Sequence, residues 1–338
     1  MGAQSFAADP SPDKLQKILA DKPDNILARV QLAEIRLGEK KYGEVIELLN
    51  SYTDQLRGSG FRVLAFAYGS MGDHSNEVRV LKIVADKEPE NFEWHLLLAQ
   101  AHLKQAALIS EPTESRNTIT SAIQELRKVL KIKPGFKVAF DLLLKTFLEQ
   151  KNHNEARELI AEGLDKFGGR PDLYRELCRL NAIDGFLPQA LQACTQSIEL
   201  SPNYPDHYVF LVQVLMDQKE AVSAEKKIVY AAKKFPKSEF VQWAAGKLFL
   251  KKQNYPVATR YFETAIRVKP DSSRGQIGLA EALYESGREA EALPHYEIAC
   301  KADPSTADDF LTAGGRLKQG KNPSLGQKYM SAAYKCRP

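Results

Sequence analysis

Between residues 205 and 218, apolar side chains fall at Tyr208, Leu211, Val212 and Leu215, the spacing of one face of an α-helix. After a break near Lys219 the same spacing returns at Ala224, Ile228 and Ala231, which predicts a second amphipathic helix over 221–234. Pro236 stops that helix, because proline lacks a backbone donor and biases its predecessor away from helix. The result is a helix hairpin whose apolar faces need neighbours on both sides. The stop recurs at Pro202, Pro236, Pro270, Pro304 and Pro338, 34 residues apart, and Pro134 lies 68 residues before Pro202. A fixed period of this size describes an array of stacked supersecondary units and not one globular core.

With position 1 set three residues after each proline, small residues recur at position 8: Ala33, Ala65, Ala99, Cys178, Gly246, Ala280 and Gly314. They recur at position 20 as Ala122, Ala156, Ala190, Ala224, Ala258, Ala292 and Gly326. Leucine precedes the first set at position 7 (Leu32, Leu64, Leu98, Leu143, Leu177, Leu211, Leu279). Glycine or a substitute stands at position 15 (Gly72, Gly185, Gly287) and alanine at 27 (Ala231, Ala265, Ala299). In this register the chain resembles the tetratricopeptide repeat over residues 25–338. The resemblance implies an all-α fold, a right-handed α-solenoid superhelix of about nine helix-turn-helix repeats. A short helix at 12–22, ending at Pro23, is expected to cap the first repeat.

Several repeats depart from the pattern. Repeat 1, about 26–57, lacks its proline and is two residues short, and repeat 4 ends in Gly168-Gly169 where proline was due. Glu77 stands where other repeats have a small residue, which predicts a looser repeat 2. Pro89 and Pro134 are 45 residues apart, so repeat 3 holds 11 extra residues within about 105–120. These either project as a specificity loop or extend the two helices into solvent.

Composition narrows the function. The 47 basic and 43 acidic residues give a formal charge of +4 and alternate throughout, so no lysine and arginine stripe marks a nucleic-acid surface. No apolar run reaches the ~20 residues that span a bilayer, which argues against membrane insertion. Residues 1–11 fall outside the array and are expected to be disordered. Ser5-Phe6-Ala7 followed by Ala8-Asp9 has the small-x-small character of a signal-peptidase site, although the charged and apolar regions that precede such sites are missing. A remnant of a signal peptide and an ordinary irregular start both remain open. The expectation taken forward is export, periplasmic for a Gram-negative source, with the cytoplasm as the alternative.

No catalytic residue, metal site or cofactor is expected. Residues 315–322 imitate a phosphate-binding loop, but Asn322 replaces the required Ser or Thr and no strand precedes it. His95 and His102 share a helix face yet lie ~10 Å apart along the axis, too far for one zinc ion. The four cysteines form no Cys-x-x-Cys pair. Cys178 and Cys194 are expected to face the interior of one hairpin, either bonded or as two small buried residues. Cys300 and Cys336 are expected to be unpaired.

In the family, the first helix of each hairpin lines a concave groove that receives peptides or proteins. The family's carboxylate clamp is missing, with Asp141, Arg175 and Val209 at position 5. The resemblance instead places Phe66, Arg175, Arg179, Val209, Met216, Phe240, Trp243, Lys247 and Tyr284 on the partner-binding surface. Aromatics and arginines are the usual energetic centres of interfaces. A one-residue register error would bury Trp243 between helices. At the C-terminal end no extra polar helix follows, so Met330, Ala333 and Tyr334 are expected to be partly open. Either the chain is a truncated piece or that end docks onto something, a second copy included. The resulting expectation is a non-catalytic scaffold. The alternative is an exported accessory factor of envelope or exopolysaccharide assembly that docks membrane enzymes or glycans.

Overall fold

The computed structural model describes residues 11–320 and 322–336, so the 5–9 segment and Pro338 lie outside the described residues. The chain divides into two compact units, Met1–Lys166 and Phe167–Pro338. In the first, α1 (Pro12–Asp21) precedes four hairpins: α2 (Ile26–Gly38) with α3 (Tyr42–Leu49), α4 (Ser59–Ser70) with α5 (His74–Lys87), α6 (Phe92–Leu108) with α7 (Pro112–Ile132), and α8 (Lys137–Glu149) with α9 (His153–Phe167). The second unit holds five: α10 (Pro171–Ile183) with α11 (Leu187–Leu200), α12 (Pro205–Asp217) with α13 (Ala221–Lys234), α14 (Glu239–Lys251) with α15 (Tyr255–Val268), α16 (Ser273–Glu285) with α17 (Glu289–Ala302), and α18 (Ala307–Gln319) with α19 (Pro323–Cys336). Nine hairpins and no strand are present among the described residues.

The prolines act as helix stops throughout. Pro89, Pro134, Pro202, Pro236, Pro270 and Pro304 each lie two residues beyond the end of the second helix of a hairpin. The turn inside each hairpin has its own requirement. Position 15 takes a positive φ, at Gly72 (77°), Gly185 (79°) and Gly287 (82°), but also at Lys40 (60°), Lys151 (56°), Lys219 (64°) and Gln253 (58°). A residue with a Cβ gives up roughly 1–2 kcal/mol to hold that conformation. Four turns of this chain therefore carry a small strain that glycine avoids in the others.

Stacking has two levels. Consecutive helices pack side by side, and first helices also touch the first helix of the next hairpin, as in α10 on α12, α12 on α14 and α14 on α16. The small residues at positions 8 and 20 are buried where these helices meet. Phe262 of α15 shows why. A Cβ on Gly246 of α14 would stand 2.7 Å from its ring, and one on Gly278 of α16 would be closer still. The ring occupies a slot that two bare backbones leave open. In the last hairpin a Cβ on Gly326 would meet the Gly314 carbonyl oxygen at 2.7 Å, so α18 and α19 approach backbone to backbone.

The departures find local solutions. The extra residues of repeat 3 lie in long helices, 17 residues in α6 and 21 in α7, joined by three residues. Glu77 is buried against Gly69, whose missing side chain leaves the room, and its carboxylate meets His74 Nδ1 at 2.6 Å and Lys104 Nζ at 3.2 Å.

Two expectations about the C-terminal end are corrected. Cys300 and Cys336 are not unpaired: they form a disulfide, with Cα atoms 6.0 Å apart, because the ends of α17 and α19 pack together. Ala333 is fully buried and Met330 half-buried, leaving only Tyr334 open. Ala333 faces the aromatic cluster that closes this end, where Tyr329 meets Phe310 at 5.4 Å and Tyr296 at 5.6 Å between ring centroids. Cys178 and Cys194, on α10 and α11, are also joined, with Cα atoms 5.1 Å apart.

The Phe262 slot predicts opposite effects from two like substitutions. Gly278→Ala should destabilise the protein by about 1–3 kcal/mol through overpacking. Gly315→Ala, in the interior of α18 with open space around its Cα, should stabilise by up to ~1 kcal/mol. Urea denaturation of the two variants measures both. Equal effects would refute the close-packing account.

Candidate partner-binding face

The second unit brings several first helices together on one face. On α14 the Phe240 ring stacks on Trp243, with centroids 5.6 Å apart and planes 12° from parallel. Phe210 of α12 meets Phe240 edge-on at 6.5 Å. Two cations lie over this aromatic surface. The Arg274 guanidinium is 5.1 Å from the Phe240 centroid and 5.7 Å from that of Trp243, and Lys247 Nζ is 5.2 Å from Trp243. Glu239 holds Arg274 in place through a 3.2 Å ion pair and accepts the Ser272 hydroxyl at 2.5 Å. Phe240 and Trp243 are half-buried, so neither is sealed in the core.

Beside the stack lies a depression of about 230 Å³, lined by Val209, Val212 and Met216 of α12 and by Trp243, Lys247 and Leu248 of α14. Val209 is 8 % exposed and forms part of its wall. Four of the expected partner-binding residues thus meet here: Val209, Met216, Trp243 and Lys247.

A second depression, of about 390 Å³, is walled by Leu250 and Lys251 of α14, Glu281 and Tyr284 of α16, Tyr296 of α17, and Asp309 and Arg316 of α18. Tyr284 donates its hydroxyl to the Ala313 carbonyl at 3.3 Å. Burial, reinforced by the charges of Asp309 and Glu285, pushes the Glu281 carboxyl up to about 7, with Lys247 acting in the opposite direction. Lys251 belongs to the rim of both depressions.

The remaining expected residues stand apart from these two hollows. Arg175 and Arg179 both pair with Glu176 on their own helix, at 3.0 and 2.9 Å. Phe66 is an exposed residue of α4 in the first unit. Sequence reasoning missed Phe210, Arg274 and Lys251, which stand at positions 6, 2 and 13 of the same register and were legible by carrying every groove position through every repeat.

The candidate chemistry elsewhere has structural partners. His95 bridges two helices, with Nδ1 2.6 Å from Glu125 and Nε2 2.9 Å from the Pro89 carbonyl. Burial lowers the pKa of His102. Residues 315–319 of the phosphate-loop imitation belong to α18. Among the described residues no group of three or more metal-capable side chains converges, and no helix is long and apolar enough to cross a membrane.

Comparison with known proteins places this geometry. The tetratricopeptide repeat family model matches residues 244–307, from within α14 to the start of α18. Over those residues, and in its overall fold, this chain is similar to tetratricopeptide-repeat proteins. The crystal structure of yeast Tom70 is similar over 96% of this chain and 84% of its own, at 14% identity and a TM-score of 0.55. YrrB, described as a TPR protein with an unusual peptide-binding site, is similar over 54% of this chain and 94% of its own, at 18% identity and a TM-score of 0.41. No curated protein matches by sequence. The likeness to Tom70 is one of fold.

Glu281 makes the stability of this repeat protein pH-dependent. Its folded carboxyl holds a proton to about 7, while the unfolded group releases it near 4.5. Across that window the folded state binds more protons, so this group's contribution falls as pH rises. Thermal melts at pH 5 and pH 7.5 should show a smaller loss in Glu281→Gln than in the parent. Identical losses would remove Glu281 as the source.

Proposed function

We propose that the chain is a non-catalytic scaffold that holds a peptide or protein partner against the first-helix face of its second unit. The observation that carries this reading is the Phe240–Trp243 stack, open on one side, beside an apolar hollow and crossed by Arg274 and Lys247. Rigid aromatic rings with a bordering cation lose little entropy on binding and supply the energetic centre of many interfaces. An amphipathic helix or an extended segment fits such a groove.

Pull-downs from the source cell test it. The double variant Phe240→Ala, Trp243→Ala should recover the partner at least ~30-fold less well, corresponding to at least ~2 kcal/mol. Val222→Ala, an exposed residue of α13, serves as the control and should change nothing. Undiminished recovery by a double variant that melts like the parent would count against this face.

A second reading concerns location. Two disulfides, Cys178–Cys194 and Cys300–Cys336, favour an oxidising compartment, the periplasm or another exported site, over the cytoplasm. In that setting the scaffold would serve cell-envelope or exopolysaccharide assembly by docking membrane enzymes or glycans. Trapping thiols during lysis should leave none of the four cysteines of the native protein labelled without reductant. Four labelled cysteines would return the protein to a reducing compartment. Self-association through the last hairpin has less support, since Ala333 is buried and Tyr334 is the large apolar side chain exposed there.

A further inference from the structure

The cavity walled by α14, α16, α17 and α18 has an unbalanced interior. Three carboxylates line it: Glu281, which is half-buried, and Glu285 and Asp309, which are exposed at its mouth. Arg316 pairs with Glu285 at 3.5 Å. Glu281 and Asp309 have neither an ion pair nor a hydrogen bond among the described residues. The other charged or titratable groups near Glu281 are Lys247 and Lys251 on α14, Tyr255 on α15, Tyr284 on α16 and Tyr296 on α17. Lys251 is exposed at the rim and Lys247 lies over Trp243 in the adjoining hollow, so neither fills the space beside the two carboxylates.

We infer that the segment whose apolar side chain enters the Trp243 hollow also places a lysine or arginine side chain in this second cavity, against Glu281 and Asp309. The inference rests on the groove reading above and adds the chemistry of the partner. Three observations support it. Half-buried Glu281 has lost part of its hydration, and a cation arriving from the partner replaces that loss with a charge-assisted bond, with exposed Asp309 adding its charge at the mouth. The Leu250, Tyr284 and Tyr296 walls suit a long aliphatic stem below a cationic head, and tyrosine faces attract the head itself. Lys251 belongs to both hollows, so they adjoin, and neighbouring side chains of one segment can fill them. An acidic segment would bring a third uncompensated carboxylate into the same space. A neutral one would leave Glu281 and Asp309 repelling each other.

The elevated proton affinity of Glu281 follows from the same two causes, burial and the charge of Asp309. It adds a readout. Near pH 6 Glu281 is largely neutral and offers little to a cation, whereas near pH 8 it is ionised. Lysine stays charged across this range. Preference for a basic partner residue should therefore grow as pH rises.

The test uses the full chain and fluorescently labelled 12-residue peptides read by anisotropy. Each peptide carries one phenylalanine in a serine, glycine and alanine background. Every other position carries lysine, norleucine or glutamate in turn. At pH 8, lysine at a restricted position should bind about tenfold more tightly than norleucine, with glutamate weaker than both. The ratio should be smaller at pH 6, where Glu281 is largely neutral. Glu281→Gln should reduce the lysine preference, and adding Asp309→Asn should abolish it, while norleucine peptides bind both variants as before, which also shows that the variants are folded. Trp243→Ala should weaken all three series together. Binding that depends on Trp243 but shows no lysine preference overturns this inference and leaves the groove reading standing, as does a preference that survives both acidic substitutions. Binding that ignores Trp243, or no binding by any peptide, removes the groove reading and this inference with it.

Discussion

The structure depends on how closely its helices can approach. A hairpin two helices thick cannot bury its own apolar surface, so each helix must lie against the hairpins before and after it. What sets the separation is the volume of one side chain at each crossing. Phe262 makes this plain: its ring fits because Gly246 and Gly278 on the flanking first helices have no Cβ to oppose it. The pairing of large with small across each seam does for this array what a single dense core does for a globular domain. It also places α14 between α12 and α16, and the two hollows of the candidate face lie on either side of α14.

A second constraint fixes the joints. Every hairpin ends in unsatisfied carbonyls, and the proline beyond supplies another without a donor of its own. Position 4 of the following repeat answers this. Tyr208 donates its hydroxyl to the Pro202 carbonyl at 2.9 Å, Gln276 donates its amide to that of Pro270 at 2.9 Å, and His95 meets that of Pro89 at 2.9 Å. Gln242, at the same position, reaches Ala232 and Phe235 instead, at 3.1 and 3.4 Å. Three side-chain types serve one purpose, because the need is for a donor at a fixed reach and not for a particular residue. His95 thereby has a structural explanation that a single sequence does not offer.

This difference separates what the sequence revealed from what it hid. Features set by backbone geometry recur at fixed positions: proline beyond most helix pairs, small residues at crossings, and a left-handed turn at position 15. Hairpin boundaries were therefore readable to within a residue, as with 205–218 expected and Pro205–Asp217 found. Features set by distance across the stack repeat in function only. Cys300 and Cys336 are 36 residues apart, and nothing local brings them together; they meet because α17 packs on α19. Trp243 was legible as a groove residue, but Arg274 over it belongs to the next repeat, 31 positions later. The ion pairs that occupy Arg175 and Arg179 were hidden for a different reason. Glu176 lies between them, and only side-chain geometry shows that one carboxylate holds both.

The candidate face draws on the same cross-stack logic, which makes its parts interdependent. Phe210 comes from one hairpin, Phe240 and Trp243 from the next, and Arg274 from a third. Lys247 joins the two hollows electrically: its ammonium lies over the Trp243 ring, and its charge opposes the forces that keep a proton on Glu281. An apolar group that covers Lys247 would strip water from it and strengthen its field at Glu281, since charges interact more strongly as the surrounding dielectric falls. Filling the first hollow would then favour the ionised state of the second. Both responses act through distances that Gly246 and Gly278 set, so the glycines that let α14, α15 and α16 pack are also what make the face a single surface.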